Sequence, residues 1–221
     1  MTNILYNENC FDIMQIEIEK GTKFDLILCD SPYGIGYQSN MKKNKDLPMF
    51  YDRNLAWLPK WLNFAHKLLK DDGHIYLFAP QQRIDVWKQE FENFFICKNL
   101  IVWNKKAFGM GDLYGQFAPS YEFILFGCKE QGKKLNGKRE CDVWEFSKVR
   151  SSEHPTQKPY DLIKKIVLKS TNESDFVFDG FAGTNITGLV CKDFGRNYIG
   201  CELYDEHYNN AKRKSLKYFE L

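Results

Sequence analysis

Residues 24–33 read FDLILCDSPY, an apolar run that stops at Asp30 and turns through Ser31, Pro32 and Tyr33. A short apolar run closed by turn residues marks a strand buried on both faces of a parallel sheet, and such a strand delivers its last residues to the sheet edge. Three different chemistries arrive there together. Asp30 can accept hydrogen bonds from an amino group, Pro32 fixes the backbone so that the preceding carbonyl points outward, and Tyr33 offers a π-face to a flat heterocycle. The same residues also suit an ordinary Ser-Pro turn, so alone they define no ligand.

The rest of the chain supports a strand of that kind. With 221 residues, 43% hydrophobic and 27% charged, it has the composition of one well-buried domain spanning 1–221. The seven cysteines form no CxxC pair, and Cys29, Cys191 and Cys201 sit in or beside apolar runs, as reduced packing residues of a cytoplasmic protein do. The N-terminal residues lack the basic start and apolar core of a signal peptide, and no run reaches membrane-spanning length, so no membrane is expected as partner; with no CxxC pair, no metal is expected either. A net charge of +2 does not by itself argue for a polyanion. The basic residues are grouped, however: Lys42 and Lys43 in one polar loop, Lys105 and Lys106 after an aromatic strand, and Lys133, Lys134, Lys138 and Arg139 in a glycine-punctuated segment. These are candidate phosphate contacts, although solvated loops look the same.

In chain order, strands are expected at 3–6, 24–29, 74–80, 96–103, 121–127, 175–179 and 197–202, with CDVWEF at 141–146 as a short strand or hairpin arm. Helical spacing covers Cys10 to Ile18. It recurs from Trp57 through Leu69, where Asp71, Asp72 and Gly73 are expected to end the helix, and from Gln82 to Phe94. Further helices are expected from Pro159, from Asn185 and at the C-terminal end. Alternation of this kind predicts a three-layer α/β domain with a mostly parallel sheet. The strands at 96–103 and 121–127 have no helix between them, so one of the two is expected to run antiparallel.

A second constellation, FVFDGFAGTNITG at 176–188, repeats the pattern of the first: buried strand, terminal acid, glycine turn, helix. Glycines 180 and 183 allow close backbone approach to a ligand, and the following helix N-terminus favours electron-rich groups. Glu202 closes a strand about twenty residues later, where a doubly wound fold places an acid for ribose hydroxyls. Because the turn is not GxGxxG, a purely steric need for glycine carries similar weight. Ligands of open α/β sheets bind where strand order reverses, so if 24–29 and 175–179 are neighbours, Asp30 and Phe181 face one another across a single site.

Taken together, these residues resemble the amino-group DNA methyltransferases in their β arrangement, a circular permutation in which the catalytic motif precedes the cofactor motif. DSPY at 30–33 resembles that family's DPPY, HPTQKP at 154–159 the segment that opens its first cofactor-side helix, and DGFAGTNITG at 179–188 its FxGxG motif. The resemblance runs from NENCFDIM at 7–14 to the last helix. It implies the Rossmann-like seven-stranded methyltransferase sheet, helices on both faces and one antiparallel strand. It also implies S-adenosylmethionine as cofactor and transfer of its methyl group to the N6 amine of a flipped adenine in double-stranded DNA. Asp30, Ser31, Pro32 and Tyr33 are then the catalytic set. Asn9, Cys10, Asp30, His154, Thr156, Lys158, Asp179, Phe181, Ala182, Gly183, Thr184, Asn185 and Glu202 are the expected cofactor contacts.

The chain departs from the family pattern at Ser31 and Gly180, where proline is usual, at Asn185 in place of a glycine, and at Asn9 in place of an acid. Asn185 is expected still to cap its helix, and Asn9 still to hydrogen-bond adenine. Sequence recognition is expected from insertions at about 34–55, 104–119 and 128–150, small enough to suggest a short site or a dimer; monomer and homodimer both remain open. The alternatives are cytosine N4 methylation, an RNA substrate, and a turnover-deficient protein that binds cofactor or nucleic acid.

Overall fold

The computed structural model describes residues 2–31, 33, 55–109, 114–115, 117–149 and 157–217, with side chains through 213. The described elements are, in order, β1 (Asn3–Tyr6), α1 (Cys10–Glu19), β2 (Phe24–Cys29), α2 (Leu58–Leu68), β3 (Leu69–Ala79), α3 (Ile84–Glu92), β4 (Ile96–Asn104), β5 (Tyr121–Cys128), β6 (Val143–Glu145), α4 (Tyr160–Ser170), β7 (Phe176–Asp179), α5 (Ile186–Asp193), β8 (Asn197–Cys201) and α6 (Asp205–Lys217). The strands form one sheet in the order β1-β8-β7-β2-β3-β5-β4-β6. Every pairing is parallel except those of β5, which runs against both β3 and β4. The expected antiparallel strand is therefore β5. The sheet has eight strands rather than seven because Val143–Glu145 pairs in parallel with Val102–Asn104, as an edge strand and not a hairpin arm.

The central strands β2, β3 and β7 are covered on both faces, whereas β4 toward the sheet edge is exposed at Ile96, Lys98 and Asn99. Trp61, Leu62, Ala65, Trp87 and Phe91, from α2 and α3, join Ile27, Ile75 and Phe178 in one apolar cluster. Leu162, Ile163, Ile166 and Val190, from α4 and α5, join Leu26, Leu28, Tyr76 and Val177 in the other. This two-sided burial is why β2 reads as a continuous apolar run. Its one acid, Asp25, lies at an irregularity in the β2–β3 register and is buried but not isolated. It pairs with Lys70 at 2.9 Å and Lys133 at 3.3 Å, and accepts the Phe176 N–H at 2.9 Å.

Asp71, Asp72 and Gly73 do not end α2 as expected. The helix closes at Leu68, Leu69 is already extended, and β3 runs through all three residues. Leu69 lies four places beyond Ala65 and so fits the helical spacing, but its backbone pairs with Phe24. Tertiary pairing overrides the local pattern here. Among the described residues, no helix is long and apolar enough to cross a membrane.

The chain leaves β2 toward β3 on one side and leaves β7 toward β8 on the other, so strand order reverses between β2 and β7. Phe178, fully buried on β7 with its ring 5.2 Å from that of Phe24, anchors this junction. Phe178→Ala is expected to lower unfolding free energy by about 3–5 kcal/mol, from lost transfer energy plus a cavity, as read from urea denaturation.

Candidate active site

The parallel register of β2 and β7 pairs Leu28 with Asp179, so Asp30 and Phe181, each two residues further on, leave the sheet side by side at its carboxyl edge. A series of ring contacts joins the two turns. Tyr33 meets Trp87 edge-on at 6.1 Å, Trp87 meets Trp57 at 6.3 Å, and Trp57 meets Phe181 at 5.6 Å. The two tryptophans are core residues, as expected, and they also bridge the two motifs.

On the β7 side, Asp179 is buried; its carboxylate accepts the Thr187 hydroxyl at 2.6 Å and the Phe181 N–H at 3.1 Å. Burial pushes its pKa up to about 7, against the pull of these two donors. The turn is very close-packed: a Cβ on Gly180 would lie 3.1 Å from the Trp61 indole nitrogen and 3.5 Å from the Cys10 Cβ. Glu202 accepts the N–H groups of Gly183 and Tyr204, both at 2.9 Å, and its own N–H donates to the Tyr6 carbonyl. Asn9, Cys10, Asp179, Phe181, Ala182, Gly183, Thr184, Asn185 and Glu202 therefore belong to one neighbourhood, assembled from both ends of the sequence. Asn9 accepts the Phe11 N–H at 3.0 Å and caps α1. Burial raises the Cys10 thiol to about 12, so it is protonated at neutral pH.

Asn185 does not cap α5 through its side chain as expected. It stands in the left-handed region at φ 59°, its amide oxygen buried with no hydrogen-bond partner among the described residues and close above Gly188. Asparagine is one of the few residues that tolerates this conformation, which accounts for its standing where a glycine is usual.

On the β2 side, Asp30 pairs with Lys158 at 2.7 Å. Lys158 is the lysine of HPTQKP, placed just before α4, and the structure brings it to Asp30 rather than to the glycine turn. Glu122, at the start of β5, lies 3.3 Å from the same ammonium, accepts the Tyr33 hydroxyl at 2.9 Å and pairs with Lys105 at 2.7 Å. Sequence reasoning missed Glu122. The available signal was an acid at the second position of the otherwise apolar YEFILFG. Burial and the neighbouring Glu122 raise the Asp30 pKa despite Lys158, and burial raises the Tyr33 phenol well above its ordinary value. Burial works against the charge of Glu122 too, but Lys158 and Lys105 outweigh it and hold the carboxyl at about 2. The Ser31 side chain is buried beneath this turn.

Of the expected phosphate contacts, Lys105 and Lys106 stand at the carboxyl edge, paired with Glu122 and Glu145. Lys133 does not: it pairs with Asp25 and Asp175 at the opposite edge of the sheet. Neighbouring Lys134 is exposed, and the Lys138 carbonyl binds Lys169 at the C-terminal end of α4, so Arg139 beside it is also remote from Asp30. Pro32, Lys42, Lys43, His154 and Thr156, with nearly all of the 34–55 insertion, lie outside the described residues.

Residues 24–213 match the N6/N4-type DNA methylase family model. The chain belongs to the amino-group DNA methyltransferases. It is 31% identical over 241 residues to the Type II methyltransferase M2.MboI of Moraxella bovis, covering 95% of this chain and 86% of that protein. It is 28% identical over 247 residues to the DNA adenine methyltransferase YhdJ of Escherichia coli K12, covering 96% and 81%. The solved structure of M1.HpyAVI in complex with S-adenosylmethionine superposes with a TM-score of 0.72 at 26% identity, covering 95% of this chain and 98% of that one.

Asp179 has a testable pH signature in this methyltransferase. Its folded pKa lies above the unfolded value of 3.8, so the folded state holds the proton more tightly and loses stability as pH rises from about 4 to about 7. Asp179→Asn removes this dependence. Relative to wild type, the ligand-free variant is expected to gain roughly 2–4 kcal/mol between pH 5 and pH 8 in urea unfolding, whatever its offset at pH 5.

Proposed function

We propose that this S-adenosylmethionine-dependent DNA methyltransferase modifies the N6 amine of an adenine extruded from double-stranded DNA. The observation that carries the proposal is the β2–β7 register, which sets an amine-accepting carboxylate beside a glycine turn backed by a ribose-type acid. Asp30 spends only Oδ1 on Lys158 and Tyr33 among the described residues, leaving Oδ2 for an amino hydrogen. The Ser31 carbonyl takes the second hydrogen; being backbone, it is the same acceptor that proline would provide at this position. Two such bonds draw the nitrogen lone pair out of conjugation with the ring, and Tyr33 supports the base by stacking. Once the nitrogen is methylated it sheds a proton, for which Asp30, with its raised pKa, is the adjacent acceptor.

The glycine turn fits the cofactor: each carboxylate oxygen of Glu202 keeps a lone pair for a ribose hydroxyl after binding its N–H. The bound cofactor supplies an electrophilic methyl on a positively charged sulfur. Asn9, Cys10, Asp179 and Phe181 to Asn185 shape the remainder of its site, with His154 and Thr156 assigned from the motif alone. Holding amine and methyl in line contributes most of the acceleration. The aspartate that opens DSPY favours adenine over cytosine by the family pattern. Segments 34–55 and 104–119 serve sequence recognition; Phe108 and Phe117 are exposed in the second, at the carboxyl edge.

Nucleoside mass spectrometry of DNA incubated with the protein and S-adenosylmethionine is expected to show N6-methyladenine. N4-methylcytosine in its place would overturn the choice of base. Asp30→Ala is expected to lower transfer by roughly 10²–10⁴-fold, far more than it weakens cofactor binding measured by calorimetry.

A further inference from the structure

Glu122 sits where four other side chains converge. It is the second residue of the antiparallel strand, so the beginning of β5, not its end, reaches the carboxyl edge; in the register it lies opposite Trp103. Its Oε2 accepts the Tyr33 hydroxyl at 2.9 Å and faces the Lys158 ammonium at 3.3 Å, while Oε1 holds Lys105 at 2.7 Å. Lys158 in turn lies 2.7 Å from Asp30 and 3.4 Å from the Tyr33 oxygen, above the rings of Phe78, Trp103 and Tyr33. Two carboxylates and two ammonium groups balance in charge within a largely buried pocket. Buried ion networks are a weak source of stability compared with apolar packing, so the placement of one beside a reacting group calls for another reason.

The distances supply one. The Tyr33 hydroxyl has two carboxylates to choose from, Glu122 at 2.9 Å and Asp30 at 3.4 Å, and the shorter bond goes to Glu122. Lys158 is likewise shared between them. Were Glu122 neutral, both donors would turn to Asp30 and occupy the oxygens that an incoming amine requires.

We propose that Glu122 is a positioning residue for methyl transfer: by engaging the Tyr33 hydroxyl and the Lys158 ammonium, it sets the Tyr33 ring and leaves Asp30 open to the target amine before DNA arrives. This rests on the function proposed above and adds a residue that the sequence motifs do not contain. The negative charge of Glu122 also raises the Asp30 pKa, which strengthens Asp30 as an acceptor.

Transfer of tritiated methyl groups from S-adenosylmethionine to unmethylated bacterial genomic DNA, followed from pH 5 to 9, tests this in wild type, Glu122→Gln and Glu122→Asp. Glu122→Gln is expected to lower kcat roughly 10- to 100-fold with KM for the cofactor little changed, because the glycine turn is untouched. The acidic limb of its kcat profile is expected to move to lower pH, because Asp30 loses a neighbouring like charge. Glu122→Asp keeps the charge, so it should recover part of kcat and return the limb to its wild-type position. Wild-type kcat in Glu122→Gln would overturn the proposal. So would a kcat loss with an unmoved acidic limb and no recovery in Glu122→Asp, the pattern of a purely structural role. If Glu122→Gln fails to fold by circular dichroism, Tyr33→Phe carries the test, since it keeps the ring and deletes the bond to Glu122; wild-type kcat there would overturn the idea equally. Absence of transfer by the unmodified chain would instead refute the underlying function, and this inference with it.

Discussion

The molecule depends on the parallel pairing of two strands that are about 150 residues apart in the chain. Leu26, Ile27 and Leu28 lie against Val177, Phe178 and Asp179, and this short ladder is the point at which strand order reverses. Past Leu28 and Asp179 the two chains part, one leading to β3 and the other to β8, and a crevice opens between the two exits. Chemistry that neither half of the sequence can perform alone becomes possible there. Asp30 comes from one half, the glycine turn from the other, and Trp57 and Trp87, contributed by the segment between, fill the space beneath both.

The two ends of that ladder are held by different means. At the amino edge, Asp25 ties β2 to β3, β7 and the segment after β5 through Lys70, the Phe176 N–H and Lys133. At the carboxyl edge the groups are charged as well, but one carboxylate is held strongly acidic while its neighbour is made more basic. The first network fixes the frame; the second differentiates two similar acids by surrounding one with ammonium groups and leaving the other partly burdened with a like charge. The family to which the chain belongs is recognised by its motifs, but the electrostatic division of labour arises from β5, which carries none of them.

How much of this was legible in the sequence follows from where each signal lies. FDLILC and FVFD were readable because burial on both faces leaves continuous apolar runs, and their terminal acids stood out against that background. The glycine turn was readable for the same reason, and so was the antiparallel strand, from the missing helix between β4 and β5. What escaped depended on distant partners. Leu69 looked helical by spacing and was claimed by Phe24; Asn185 looked like a cap and was instead a left-handed turn residue; Lys133 looked like a phosphate ligand and was bound to Asp25 and Asp175 at the opposite edge. Glu122 was the one acid in a strand that otherwise announced a core, and nothing local says that Tyr33 and Lys158 would meet it.

The reversed direction of β5 has one more effect. Because β4 ends and β5 begins at the carboxyl edge, the connection between them starts and finishes there, and it is closed at its base by the bonds Lys105 N–H to the Ser120 carbonyl and Gly109 N–H to the Pro119 carbonyl. The clasp fixes where both strands leave the sheet, so residues gained or lost past it are expected to leave the geometry of the reacting groups undisturbed. A connection clasped in this way lets a lineage change which surfaces it grips while inheriting its chemistry intact.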